Sequence, residues 1–255
     1  MSSFLVVTLL LTGAVSGLAA GLLGVGGGLI IVPALAHLLP LAGDDGTHTM
    51  QVALGSSLAV ICFTALSSAR AHHGRDAVDM AVLRRMAPGL AFGALAGVFV
   101  AVQLTERPLR VVFGLFELGV ALHLLRARIP DRVVPVAPAV EHGVAAVIGA
   151  VSGIVGIGGG TLTVPWLHWR GLTMHRSVAT AAACGFPIAL AGTIGYGAAG
   201  HLPLAVVGPA IALIASASVV AAPLGARLAH RLPAAALRTG FASFLAVLGL
   251  KMLLG

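Results

Sequence analysis

GLLGVGGGLIIVP, residues 21–33, sets four glycines (Gly24, Gly26, Gly27, Gly28) within five positions of an otherwise apolar run, and GIVGIGGGTLTVP, residues 153–165, repeats it almost letter for letter. Glycine costs about 1 kcal/mol relative to alanine inside a helix, so each cluster is expected to break one. Gly24, Gly26, Gly27, Gly28 and Pro33 correspond to Gly156, Gly158, Gly159, Gly160 and Pro165 at a constant offset of 132 residues. A break that occurs twice at matching places, each followed by proline at the same distance, is read as a device of the fold.

The surroundings of the breaks decide what they are for. Of 255 residues, 58% are hydrophobic and 9% charged, with a mean hydropathy of +1.05. Soluble domains carry about 25% charged residues, so most of this surface faces lipid. Apolar runs divided by short arginine-bearing breaks, without alternating hydrophobicity, point to helices and not to an outer-membrane barrel. The net charge of +7 comes from those breaks, where orientation signals belong, and does not call for nucleic acid. Cys62 and Cys184 lie inside apolar runs and offer no disulfide framework. MSSFLVVTLLL at the start lacks the basic residues of a cleavable signal peptide, and no polar break is long enough to fold alone.

Eight apolar segments fall at about 3–41, 50–69, 83–103, 109–125, 138–168, 177–199, 203–226 and 235–254. Six are near the ~20 residues of a spanning helix; the first and fifth are longer and hold the glycine clusters. Weaker likenesses extend the repeat: QVALGSS (51–57) with SVATAAA (177–183), and LRVVFG (109–114) with LRTGFA (237–242). The chain therefore reads as one integral membrane domain of two repeats, 1–127 and 128–255, joined near RARIPDRVVPVAP (126–138), a recurrent transporter plan.

Charge selects between two topologies. If both long segments cross the membrane once, Lys and Arg divide eight against seven, which is no bias. If each is re-entrant, one side collects Arg70, Arg75, Arg84, Arg85, Arg126, Arg128, Arg132, Arg170, Arg176, Arg227, Arg231 and Arg238, and the other keeps Arg107, Arg110 and Lys251. Twelve against three is a strong positive-inside signal. The expected fold is all-α, two halves in inverted topology, each a glycine-tipped re-entrant or broken helix plus three transmembrane helices, with both termini outside the cytoplasm.

A broken helix in hydrocarbon must bury its freed N–H and C=O groups in protein or line a wet cavity with them. The helices following the clusters, from Leu29 and Thr161, would aim N-termini worth roughly +0.5 charge at the break. A Walker loop is excluded because no lysine follows, and a dinucleotide fingerprint because Leu29 and Thr161 occupy its last position. Glycines at 13, 17 and 21, and at 89, 93 and 97, have the spacing of close helix packing, the structural alternative for the clusters themselves.

The doubled G-x-G-G-G-x-x-x-x-P segments in a duplicated membrane chain of this size resemble the TauE/SafE family of sulfite and organosulfonate exporters, and the likeness covers essentially the whole chain. It implies a secondary transporter in the plasma (inner) membrane that moves a small sulfur oxyanion by alternating access, bound where the two glycine clusters meet. Ser56, Ser57, Thr161 and Thr180 are the expected hydroxyl helpers, although the stretch after the first cluster is LGSS (54–57) and its counterpart is TAAA (180–183). An anion channel and an intramembrane enzyme are the alternatives. No cofactor or metal is called for; the expected partners are the small anion, membrane lipid and protons as a coupling ion, with a homo-oligomer left open.

Glu117 is the one carboxylate well inside an apolar segment. It reads either as a proton-coupling residue or as a structural partner of His123. His72, His73, Asp76 and Asp79 read as a metal set or, more simply, as a solvated loop. Arg84 and Arg85 read as the inner mouth of a pathway or as snorkelling side chains at a helix end.

Overall fold

The computed structural model describes residues 2–24, 26–40, 48–73, 77–126, 137–228 and 234–254. The linker around 127–136, and His72, His73 and Asp76 with the metal reading that needed them, lie outside the described side chains. Ten helices are described: α1 Ser3–Leu23, α2 Gly28–Leu38, α3 Thr49–His73, α4 Met80–Ala101, α5 Glu106–Arg126, α6 Pro138–Val155, α7 Gly160–Trp169, α8 Met174–Ala198, α9 Leu204–Leu228 and α10 Ala234–Leu254. The two long apolar segments are each split at their glycines, so eight segments give ten helices. Six of them (α1, α3, α4, α5, α8 and α9) are long and apolar enough to cross a membrane. The molecule is an all-helical, multi-pass membrane protein.

Which helix meets which follows from the four-spaced glycines. A side chain at Gly13, Gly17 or Gly21 of α1 would collide with Ile214, Ser218 or Ala222 of α9, so these helices touch backbone to backbone and run the same way. Gly89, Gly93 and Gly97 of α4 meet His142, Ala146 and Ala150 of α6 in the same parallel sense, and Gly149 and Gly153 return the contact against Leu90 and Ala94. In lipid the hydrophobic effect does not hold helices together, and close van der Waals packing of this kind does. A buried hydroxyl pair adds to the α1–α9 contact: Ser16 Oγ lies 2.9 Å from Ser218 Oγ, and both reach the Gly13 carbonyl.

The central pair α3–α8 runs antiparallel, Gly55 lying against Tyr196, Leu58 against Gly192 and Ala65 against Gly185. The pair α5–α10 is also reversed, with Gly114 against Leu253 and Leu118 against Gly249. Tracing these directions gathers Arg70, Arg84, Arg85, Arg126, Arg170, Arg176 and Arg227 at one end of the bundle, and leaves Arg107, Arg110 and Lys251 at the other.

Gly93→Leu is expected to abolish the α4–α6 crossing, since its first added carbon would overlap the Ala146 carbonyl and overpacking costs about 1–3 kcal/mol even at forgiving sites. Gly119→Leu, where nothing lies within 4 Å, is the control. Thermal unfolding in detergent should fall by many degrees for the first and stay unchanged for the second.

Candidate functional site

Each long segment is reversed by glycines in backbone conformations that other residues avoid. α1 ends on Gly24 (φ 69°), whose N–H bonds the Ala20 carbonyl, and α2 starts behind Gly27 (φ 78°). α6 ends on Gly156 (φ 67°), bonded to the Ser152 carbonyl, and α7 starts behind Gly159 (φ 72°). Left-handed conformation is cheap only for glycine. After the turn the chain doubles back: Gly27 is pressed on Ser16 and Gly159 on Ile148, about two helical turns before each break, and Gly159 also on Ser152, one turn before. Both long segments are therefore helical hairpins, and they enter the bundle from opposite ends.

The two turns touch. A Cβ at Gly26 would lie 3.2 Å from the Gly158 Cα, and one at Gly28 only 2.7 Å from the Gly156 carbonyl oxygen. Ile61, at the middle of α3, and Gly185, near the middle of α8, flank the contact, so it sits halfway along the central spanning pair. A small cavity adjoins it on the side of the arginine-rich end, lined by Ala20, Gly24, Gly26, Thr64, Ala65, Ser68, Gly158, Ala181, Ala182 and Gly185. No lining residue is charged. Its free volume, about 10 Å³, suits about one water molecule and is too small for anything larger.

The wall that faces the cavity is apolar, and backbone and hydroxyl groups lie just behind it. α2 begins two residues after Gly26 and α7 two residues after Gly158, which brings two helix N-termini, with first-turn N–H groups unsatisfied within the helix, to its edge. Ser68 Oγ is buried with no hydrogen-bond partner among the described residues, while Thr64 Oγ1 donates to the Val60 carbonyl. Turned toward the cavity, N–H and O–H donors of this kind would attract an anion without holding it as a buried cation would.

Of the glycines singled out in the sequence, Gly24, Gly26 and Gly158 line this cavity. Gly27, Gly28, Gly156 and Gly159 instead fit the hairpins against their neighbours, and Gly160 is the buried first residue of α7. Pro33 and Pro165 occupy equivalent places inside α2 and α7. Ser57 donates to the Gly156 carbonyl (2.8 Å) and so fastens the second turn. The Ser56 and Thr161 hydroxyls are buried without hydrogen-bond partners among the described residues, and neither residue lines the cavity. Thr180 adjoins the lining at Ala181, and its oxygen accepts the Asp79 N–H (2.9 Å). Glu117 packs against Gly249 of α10, and among the described residues neither of its oxygens has a hydrogen bond, so the alternative of a pairing with His123 is not formed. Among the described residues no group of three or more His, Cys, Asp or Glu is placed to hold a metal.

Thr64 and Ser68 escaped the sequence reading. Their spacing with Ala65 puts small and hydroxylated side chains on one face of α3, but that signal has no counterpart on α8, where a repeat-guided search looks for it.

Gly158→Ala and Gly27→Ala separate cavity from packing. At Gly158 the new methyl meets the Ile61 Cγ2 methyl at 3.1 Å and otherwise only ordinary contacts with the Gly26 and Gly185 Cα atoms (3.5 and 3.8 Å); at Gly27 it meets the Ser16 backbone at 2.9 Å with φ positive. Gly158→Ala should keep near-normal yield with little function, whereas Gly27→Ala should lose folded protein and function together, measured by monodisperse yield against flux per molecule.

Comparison with known proteins places this architecture. Residues 9–252 match the model of the family described as "Sulfite exporter TauE/SafE". A "Probable membrane transporter protein" of Haemophilus influenzae is 32% identical over 96% of this chain and 97% of its own length. One of Bacillus subtilis is 30% identical over 77% of this chain and 80% of its own, and one of Methanocaldococcus jannaschii 27% identical over 96% and 94%. No solved structure matches the chain.

Proposed function

The chain belongs to the sulfite exporter TauE/SafE family and is a membrane transporter, and we propose that it is a secondary transporter exporting a small sulfur oxyanion, sulfite or an organosulfonate, across the plasma membrane by alternating access. The observation that carries the reading is the small, uncharged cavity beside which two glycine turns, two helix N-termini and the Ser68 hydroxyl, unpartnered among the described residues, converge. Donors from several directions suit tetrahedral or pyramidal oxygens. A space too small for the anion as it stands requires the helices to move before the anion can pass, which favours alternating access over a standing channel.

Residues 1–127 and 128–255 form the two halves, inverted in the membrane. Supporting this, the helix lengths long–short–long–long–long occur twice, and the counterparts α3 and α8, like α5 and α10, run in opposite directions. The arginine-rich end is cytoplasmic by the positive-inside rule, so the cavity adjoins the side from which an exported anion arrives. Glu117 serves as the proton-coupling group. It lies within α5 against α10, and α10 in turn touches α2, whose first turn borders the cavity.

Purified protein in proteoliposomes, loaded with labelled sulfite, sulfoacetate, thiosulfate or sulfate, tests the reading. Saturable flux of at least one sulfur oxyanion, stimulated by a pH gradient, is expected; no flux of any would end it. Ser68→Ala removes one hydrogen bond to a charged ligand, worth about 1.5–3 kcal/mol, and should weaken half-saturation roughly ten- to hundredfold. Glu117→Gln should abolish stimulation by the pH gradient while exchange without a gradient persists.

Orientation has its own check. A cysteine in place of exposed His48 should react with an impermeant thiol reagent applied outside the cell, and one in place of exposed Arg126 should not. The reverse pattern would turn the molecule over.

A further inference from the structure

Between the cavity and the arginine-rich end, α4 and α8 are tied together at their first turns by one residue. Asp79 caps α4 by accepting the Val82 N–H (3.1 Å). Its other carboxylate oxygen lies 3.2 Å from Arg176 Nη2, and its own N–H donates to Thr180 Oγ1 (2.9 Å). Arg176 and Thr180 are one turn apart on α8, so Asp79 grips the opening two turns of that helix.

Those turns border the cavity. Ala181 and Ala182, directly after Thr180, line it. Val178, between Arg176 and Thr180, packs on the first glycine turn, its Cγ1 3.0 Å from where a Cβ of Gly24 would stand. Movement of the start of α8 away from α4 would therefore carry Val178 off Gly24 and open the cavity toward the arginine-rich end. The other ion pairs there fasten different parts: Glu141 of α6 takes Arg85 of α4 at 3.3 Å and Arg170, after α7, at 3.9 Å. Among the ion pairs of the described residues, that of Asp79 is the one that joins the start of α4 to α8.

We propose that Asp79 and Arg176 form the gate of the cavity at the arginine-rich end, and that Arg176, once released by Asp79, receives the incoming anion. The receiving role rests on the transport reading above; the gate does not. The pair is built to open. Arg176 is 49% and Asp79 23% exposed, and they meet through a single contact, the kind of ion pair that water and salt weaken. A guanidinium binds the oxygens of a sulfonate or sulfite much as it binds a carboxylate, so an arriving anion competes with Asp79 for Arg176. Arrival of the anion then loosens the contact that keeps it out, and an empty mouth closes again.

The gate is tested without substrate. Ser68→Cys, in a background with Cys62→Ala and Cys184→Ala, reports access to the cavity from the arginine-rich side when open membranes are treated with a thiol reagent. Asp79→Asn keeps the helix cap, since asparagine caps as well as aspartate, and removes the charge. Asp79→Asn and Arg176→Gln should each speed labelling about two- to fivefold, the range an exposed ion pair supplies, and Arg176→Lys should stay near the parent rate. Unchanged labelling in both neutral variants, or an equal rise in Arg176→Lys, would overturn the gate. Sulfite flux then tests the receiving role: Arg176→Gln should raise the half-saturating concentration and Asp79→Asn should not, and equal effects would overturn it. Loss of all sulfite flux with the labelling pattern intact would count against the transport reading and leave the gate standing.

Discussion

Two helices are interrupted deep inside the bundle, and the amide and carbonyl groups that the interruptions release have to be satisfied without water. The rest of the arrangement depends on this constraint. Each interruption meets it from its own side by bonding a turn glycine back to the preceding helix, Gly24 to Ala20 and Gly156 to Ser152. The Gly156 carbonyl takes the Ser57 hydroxyl from α3. The two turns then shield each other, Gly26 on Gly158 and Gly28 on Gly156, at distances that leave little room at Gly26 and none at Gly28 for a side chain. A glycine-free turn could adopt neither the dihedral angles nor the approach.

The outer helices are organised around that contact. Stripes of small residues let α9 lie against α1 and α4 against α6 with backbones nearly touching, so the long arm of each hairpin is embraced by one helix along most of its length. The short arms α2 and α7 are held inside by α3 and α8. What remains between the arms is a space too small for more than a water, with hydroxyls and helix ends at its margin and charge only beyond the first turns of α4 and α8.

Much of this was legible in the sequence, because breaks are local. Glycine clusters and their matching prolines marked the turns, helix starts at Leu29 and Thr161 were placed within one residue of α2 and α7, and the division of arginines anticipated which helix ends share a side. What could not be read was mutual facing. A helix surrounded by lipid and other apolar helices carries little amphipathic signal, so nothing local says that Ser57 turns to Gly156, 99 residues away, or that Asp79 meets Arg176, 97 residues away. Gly27 and Gly159 resembled their cavity-lining neighbours in sequence, yet their missing side chains make room for Ser16 and Ile188. Thr64 and Ser68 were passed over because the repeat drew attention to positions that occur twice, and these hydroxyls occur once.

The pairing of α1 with α9 bears on how the molecule is made. Ser16 and Ser218, which share a buried hydrogen bond, stand 202 residues apart, so α1 enters the membrane long before the ribosome has produced the helix that will cover its glycine stripe. Through most of synthesis Gly13, Gly17 and Gly21 face lipid or a chaperoning insertase, and the first glycine turn waits for the second, since Gly26 finds Gly158 only after α6 has been inserted. The centre of this protein therefore cannot be completed as its helices emerge one by one: α1 is made well before α6 and α9, yet its contacts need both.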